Sequence, residues 1–246
     1  MKRRLFLSGL LGLPFASGAH ADQAWSAELL SGNFDGTAFQ AGLHIKLQPG
    51  WKTYWRNPGE AGIPPAIKVI GDNLASFIVD APLPLRIIDE SGEAIGYHDE
   101  VLFPIRIMPK DLNAPLSIKL SSFFGVCAKV CTPAKFEREA SFGASSDPAV
   151  EQLLATWRAK VPIVGEFIAS SNVRDGQLNL LLNTKVDDIF VEGPDQFYFR
   201  KPDFSLAPNA FIKVDGLKND AALRGVKLRL TASIGGKGLE QWLTLA

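Results

Sequence analysis

From residue 39 to residue 47 the chain alternates strictly, with Phe39, Ala41, Leu43, Ile45 and Leu47 at one parity and Gln40, Gly42, His44 and Lys46 at the other. A period of two puts successive side chains on opposite faces of an extended backbone, so this segment predicts a half-buried strand with a polar outer face. Pro49-Gly50 then turns the chain. The same period returns at Leu116, Ile118 and Leu120, and again at Val226, Leu228, Leu230, Ala232 and Ile234. Further short strands are expected at 66–70, 76–79, 101–108, 115–124 and 135–141, and later at 177–183, 188–191, 196–200, 211–214, 226–234 and 239–245. Many short strands separated by Gly and Pro turns indicate an all-β chain built as sandwiches or barrels.

One stretch has a different period. Ser145-Ser146-Asp147-Pro148 places a capping side chain before a proline at the first helical position. Val150, Leu153, Leu154 and Trp157 then follow at i, i+3, i+4 and i+7, which predicts an amphipathic helix ending near Val161-Pro162. The expected organisation is a first β domain over 22–144, a linking helix over 145–164 and a second, smaller β domain over 165–246. The last of these has no cysteine and no histidine, and it reads as a docking or support domain.

The first residues carry an address. Lys2, Arg3 and Arg4 precede an apolar stretch from Leu5 to Phe15, and Ala19-His20-Ala21 supplies small residues where a signal peptidase reads, so 1–21 is expected to be a signal peptide. Arg3-Arg4 also resembles a twin-arginine signal. Sec export is favoured, because adjacent basic residues are common in ordinary Sec signals. The expected location is the periplasm, with no membrane span in the mature chain, since no later segment approaches the roughly 20 apolar residues a span requires. The full sequence has 26 basic and 26 acidic residues, and losing Lys2, Arg3 and Arg4 leaves 23 against 26, about −3. That balance disfavours nucleic acid or an anionic membrane as the main partner. Gly-x-Ser-x-Gly, His-Glu-x-x-His and glycine-rich phosphate-loop motifs are all missing, which makes a conventional hydrolase a poor reading.

The sequence holds two cysteines, Cys127 and Cys131, at the end of the strand that runs through Phe123-Phe124. An even count in an exported chain favours a disulfide over stray thiols. Closing so short a loop removes little entropy from the unfolded chain, so the bridge is a poor staple. Short bridges are easily strained, and strained or exposed bridges are the labile, catalytic ones. Thiol-disulfide exchange needs one reachable cysteine and a second close enough to resolve a mixed disulfide, and an i, i+4 spacing satisfies both. Cys131, followed by Thr132-Pro133, is the candidate for the presented thiol. Lys129 favours a thiolate, whereas Asp89, Glu90 and Glu93 would oppose one if close.

Several segments taken in order carry a family resemblance. Trp51-Lys52-Thr53-Tyr54-Trp55, the Gly59 to Pro65 loop, Tyr97-His98-Asp99-Glu100 before Phe103-Pro104, and the cysteine pair followed by Pro133 resemble the periplasmic N-terminal domain of DsbD-type thiol-disulfide interchange proteins, nearest to the ScsB-like branch associated with copper tolerance. The resemblance covers roughly residues 25 to 143. It implies an immunoglobulin-like sandwich in which Cys127 and Cys131 cycle between dithiol and disulfide, with no cofactor. It also implies a shielding cap loop in the place of 89–97, with Asp89, Glu90, Ser91, Gly92, Tyr97 and the adjacent His98 as candidate residues. Glu90, Ser91 and Gly92 stand where the better-known form carries an aromatic tip. The chain ends at Ala246 without membrane segments or a thioredoxin-like domain, so the expected partners are thioredoxin-like periplasmic proteins and a membrane electron carrier acting in trans.

Two other readings stay open at this level. Thiolates suit cuprous copper, and two cysteines with a nearby histidine form a minimal site, although zinc would want four ligands. The chain would then be a copper-handling protein. Alternatively the bridge is structural and the chain a non-catalytic binding module. Trp51, Tyr54 and Trp55 read foremost as core and edge packing; His98 reads as an exposed loop histidine, and His44 is assigned no role.

Overall fold

The computed structural model describes residues 24–60, 62–90, 92–143 and 146–246. The expected signal peptide lies outside the described residues, as do Ala61, Ser91 and Ser145. Among the described residues ten strands precede the helix: β1 (Trp25–Phe34), β2 (Phe39–Leu47), β3 (Lys52–Tyr54), β4 (Ala66–Ile70), β5 (Leu74–Val79), β6 (Leu85–Asp89), β7 (Gly92–His98), β8 (Glu100–Pro109), β9 (Leu116–Cys127) and β10 (Cys131–Phe142). They form two sheets, one in the order β1-β2-β8-β5 and the other in the order β10-β9-β3-β7-β6, with β4 also paired to β9. Leu43, Ile45, Phe103 and Ile105 from the first sheet and Leu120, Phe124, Trp55 and Tyr97 from the second meet in one core. This is a sandwich of facing sheets.

The helix α1 (Pro148–Arg158) begins as its sequence dictates, with the Asp147 carboxylate accepting from the Ala149 amide and Pro148 in the first turn. It stops at Arg158, three residues short of the expected end at Val161. It is also more than a linker. Leu154 and Trp157 are buried in the first core, and Gly32 and Gly42 let the helix approach the sheet: a Cβ at Gly42 would stand 2.9 Å from Leu154 Cδ2, and one at Gly32 only 2.6 Å from Leu154 Cδ1. This contact corrects the expectation for β2. Of its polar parity Lys46 faces water, but Gln40, Gly42 and His44 do not: α1 packs against Gly42, and every residue from Gln40 to Ile45 is buried. His44 on that face is held between Glu28 (3.1 Å) and Glu100 (2.7 Å).

Eight strands follow: β11 (Ile163–Val164), β12 (Ile168–Arg174), β13 (Gln177–Leu182), β14 (Asp188–Glu192), β15 (Tyr198–Phe199), β16 (Asn209–Asp215), β17 (Lys227–Ile234) and β18 (Lys237–Thr244). They make the sheets β11-β18-β17-β14 and β12-β13-β16-β15. Leu178, Leu180 and Ile212 face Leu228, Leu230 and Ile189 across a second, separate core. The described residues are all-β apart from α1 and one short 3-10 turn, a larger sandwich followed by a helix and a smaller β unit.

The two units share a seam. Phe190 of β14 belongs to the first core and packs its ring 5.8 Å from that of Trp55. Around this contact lie Arg56, which donates to Glu192 at 2.7 to 3.0 Å and to Glu240 at 3.0 Å, and Arg86, which donates to Asp188 at 2.8 Å.

Candidate thiol-disulfide site

Cys127 ends β9 and Cys131 begins β10, and the antiparallel register makes them direct cross-strand partners with Cα atoms 4.2 Å apart, joined as a disulfide. Ala128, Lys129 and Val130 form the connection. The strand runs three residues past its expected end at 124, through Gly125 and Val126 to Cys127. The two sulfurs live in different surroundings. Cys127 is 1% exposed, held from the other side by β3, where Lys52 is its partner. Cys131 is exposed, beside Val130 at 73%.

Strand β3 delivers the residue that sequence reasoning placed elsewhere. Trp55 points into the core and is fully buried, as packing requires, so the preceding side chain, Tyr54, points to the opposite face of the sheet. There its hydroxyl donates to Cys127 Sγ at 2.7 Å and stands 3.0 Å from Cys131 Sγ. Ile87 of β6 and Ala94 of β7 complete a small buried cluster with Tyr54 and Cys127. The proline-rich segment after Trp55 lies over the ring. Gly62, at φ 155°, would put a Cβ 2.5 Å from Tyr54 Cε1, and the Gly125 amide donates to the Ile63 carbonyl at 3.0 Å. Only glycine permits a backbone to lie so close to the ring. Burial raises the Tyr54 phenol above its ordinary value, and the Asp89 carboxylate adds to the rise, so at neutral pH the group is an O–H donor. The signal for Tyr54 was present in the sequence as strand parity, but its aromatic neighbours made packing the simpler reading.

The expected cap is a hairpin. Asp89 and 92–97 are strand: β6 and β7 pair through Asp89 and Gly92, and Gly92 takes φ 107°. Asp89 accepts from Lys52 Nζ at 2.7 Å, and the lysine side chain is 3% exposed. Asp89 and Glu90 line a groove with Trp51, Ala128 and Lys129, so the hairpin tip and the cysteine loop are neighbours. Ser91 lies outside the described residues. Tyr97 is corrected to the interior. On β7 it shares parity with Ile95, both in the first core; its hydroxyl donates to the Pro82 carbonyl at 2.7 Å and its ring meets Phe103 edge-on at 5.7 Å. His98 is exposed at the end of β7, opposite Lys52. Among the described residues no three His, Cys, Asp or Glu side chains converge as a metal-ligand set.

A disulfide between one buried and one exposed cysteine, with a neutral phenol donating to the buried sulfur, is suited to exchange by nucleophilic attack from outside. The family model points the same way. Residues 21–142 match the family model of the N-terminal domain of the thiol:disulfide interchange protein DsbD. The N-terminal periplasmic domain of ScsB from Proteus mirabilis has the same architecture, with a TM-score of 0.74 at 21% identity over 96% of each chain. The reduced DsbD N-terminal domain of Neisseria meningitidis matches 49% of this chain and 87% of its own at 19% identity, with a TM-score of 0.31. No curated protein matches the chain. With the family model spanning the sandwich that holds the cysteine pair, the chain belongs to the family of DsbD N-terminal domains.

Proposed function

We propose that this chain relays reducing equivalents between other redox proteins of the periplasm through the Cys127/Cys131 pair. In this reading 1–21 directs export, 22–144 is the redox domain, 145–164 links it to the second domain at 165–246, and the partners are thioredoxin-like proteins and a membrane electron carrier. The observation that carries the reading is the asymmetry of the pair, with Cys131 exposed and Cys127 buried under the Tyr54 hydroxyl.

The steps follow from that asymmetry. A donor thiolate attacks Cys131 Sγ in line with the S–S bond, the bond between Cys127 and Cys131 breaks, and Cys127 departs as a thiolate. The phenol O–H of Tyr54 hydrogen-bonds that charge, lowering the basicity of the leaving group. A second donor thiol, deprotonated, attacks its own partner sulfur in the mixed disulfide. The donor leaves oxidised and this chain holds two reduced cysteines. Delivery is the reverse: Cys131 thiolate attacks an acceptor disulfide, Cys127 attacks Cys131 Sγ, and the acceptor leaves as a dithiol. Two electrons pass at each encounter. Asp89 and Glu90, on the hairpin beside the cysteine loop, border the approach.

The test is trapping. Cys127→Ser should accumulate a mixed disulfide at Cys131 with thioredoxin-like periplasmic proteins, and Cys131→Ser should not. Equal trapping by both variants, or by neither, would remove the assignment.

A further inference from the structure

The second β unit carries no thiol, yet the parts of the first sandwich that bury Cys127 are fastened to it. The segment lying on the Tyr54 ring starts at Arg56, whose guanidinium is gripped by Glu192 and Glu240. Next, Asn57 Nδ2 donates to the Val191 carbonyl at 3.0 Å, and Glu60 accepts from Arg200 at 3.0 Å. The other wall, Ile87 and Ala94, belongs to the β6–β7 hairpin. That hairpin is held at the neighbouring positions: Arg86 donates to Asp188 and to the Ile189 carbonyl at 3.1 Å, and Glu93, which also pairs with Arg86, accepts from the Tyr198 hydroxyl at 3.3 Å. Arg200 itself is stacked on Tyr198 at 4.6 Å and fixed by Asp215.

We infer that the second β unit is a positioning clamp for the thiol site: by holding the 56–63 segment and the β6–β7 hairpin together over Tyr54, it keeps Cys127 shielded and hydrogen-bonded. The inference rests on the exchange reading for what the shielding serves, since a buried, stabilised Cys127 leaves Cys131 as the sulfur a partner meets. A rigid support around reacting groups is what such a site requires. An unclamped loop, by contrast, opens locally at low cost.

The contacts that fasten the lid can be removed from the second unit alone, without changing any residue of the Cys127 cluster. In full-length Cys131→Ser protein, the rate of Cys127 alkylation by iodoacetamide as a function of pH reports two things: the plateau rate gives access, and the midpoint gives the thiol pKa. The Tyr198→Phe/Arg200→Gln variant should raise the plateau about threefold or more, as expected when a solvent-screened ion pair and a hydrogen bond no longer hold a surface segment closed. The midpoint should move up with it, because the Tyr54 hydrogen bond favours the thiolate. Arg200→Lys, which keeps the charge, should stay within about twofold of the parent. Asp188→Asn loosens the hairpin side independently and should show the same direction. A plateau within about twofold of the parent in the double variant overturns the clamp. Reduction of the unsubstituted protein by thioredoxin separates this inference from the exchange reading: failure there, with faster alkylation in the variants, removes the function and leaves the clamp.

Discussion

The hairpins β9–β10 and β17–β18 are the same element made twice, and they are closed by different means. In the second, Ile234 pairs with Lys237 across Gly235-Gly236, whose φ values of 55° and 77° give the two-residue turn that matches strand twist. Backbone freedom alone closes it. In the first, Cys127 pairs with Cys131 across three residues and a disulfide. A twelve-residue ladder on either side already fixes the register there, and in the chain-entropy picture so short a loop contributes about 2 kcal/mol at most. The fold therefore shows that it can close such a hairpin without sulfur. The surroundings differ too: a Cβ at Gly235 or Gly236 would meet open space, whereas Tyr54, Ile87 and Ala94 crowd the buried cysteine. The bridge sits where its reactivity can be controlled.

The comparison breaks most sharply at the sulfurs. Replacing either cysteine with serine should abolish turnover with thioredoxin while the protein stays folded, with a loss of no more than about 2 kcal/mol in urea unfolding. A variant that unfolds outright would make the bridge a staple after all. Tyr54→Phe comes next. A hydrogen bond to an ionised partner is worth about 1.5–3 kcal/mol, so the Cys127 thiol pKa should rise by roughly 1 to 2 units. Reduction by glutathione should slow about tenfold, as the leaving group becomes more basic. An unchanged rate in stopped-flow measurements would mean that the phenol only packs.

What the sequence made legible follows from which forces act locally. Strict alternation announced β2, β9 and β17, because each has one apolar parity to bury. Strand β1 was missed: Leu29-Leu30 interrupts the period, Gly32 lies within the strand, and a register shift falls between Ser31 and Phe34. The 89–97 stretch reads as a cap loop because Asp89, Glu90 and Gly92 look like turn residues, yet β7 begins at Gly92 and pairs back onto β6. The cysteine pair was legible from export and spacing. Tyr54 was not, because whether an aromatic points to a core or to a sulfur depends on which face of the sheet it occupies. The polar face of β2 misled for a similar reason, because its cover, α1, comes from more than a hundred residues later.

A smaller effect tests the second hairpin. Alanine at both Gly235 and Gly236 imposes a left-handed backbone on residues with a Cβ, at a cost of roughly 1–2 kcal/mol each. Urea unfolding should register that loss, and the thioredoxin exchange rate of the folded protein should stay as it was. A change in exchange rate would show that this distant turn also supports the thiol site.

The smallest effect near neutrality concerns the three tyrosines. Burial raises all three phenols above the ordinary value of 10.0: Tyr54 with help from Asp89, Tyr198 with help from Glu93, and Tyr97 furthest. A phenol is neutral when protonated, so a folded pKa above the unfolded one means that the native state holds the proton longer. The corresponding stability is fully present below about pH 10 and is lost as pH rises toward the folded values. From these groups, stability should be flat through neutral pH and fall only in the alkaline range. Two of the three lie in the first sandwich, including the most buried one, whereas Tyr198 sits half-buried at the seam. The alkaline loss should therefore be steeper for the first sandwich, and Tyr97→Phe should flatten it. Spectrophotometric titration checks the premise: tyrosinate absorbance that reaches half its full value at pH 10 in the folded protein would contradict the burial of these rings, and with it the dry setting in which the Tyr54 hydroxyl meets Cys127.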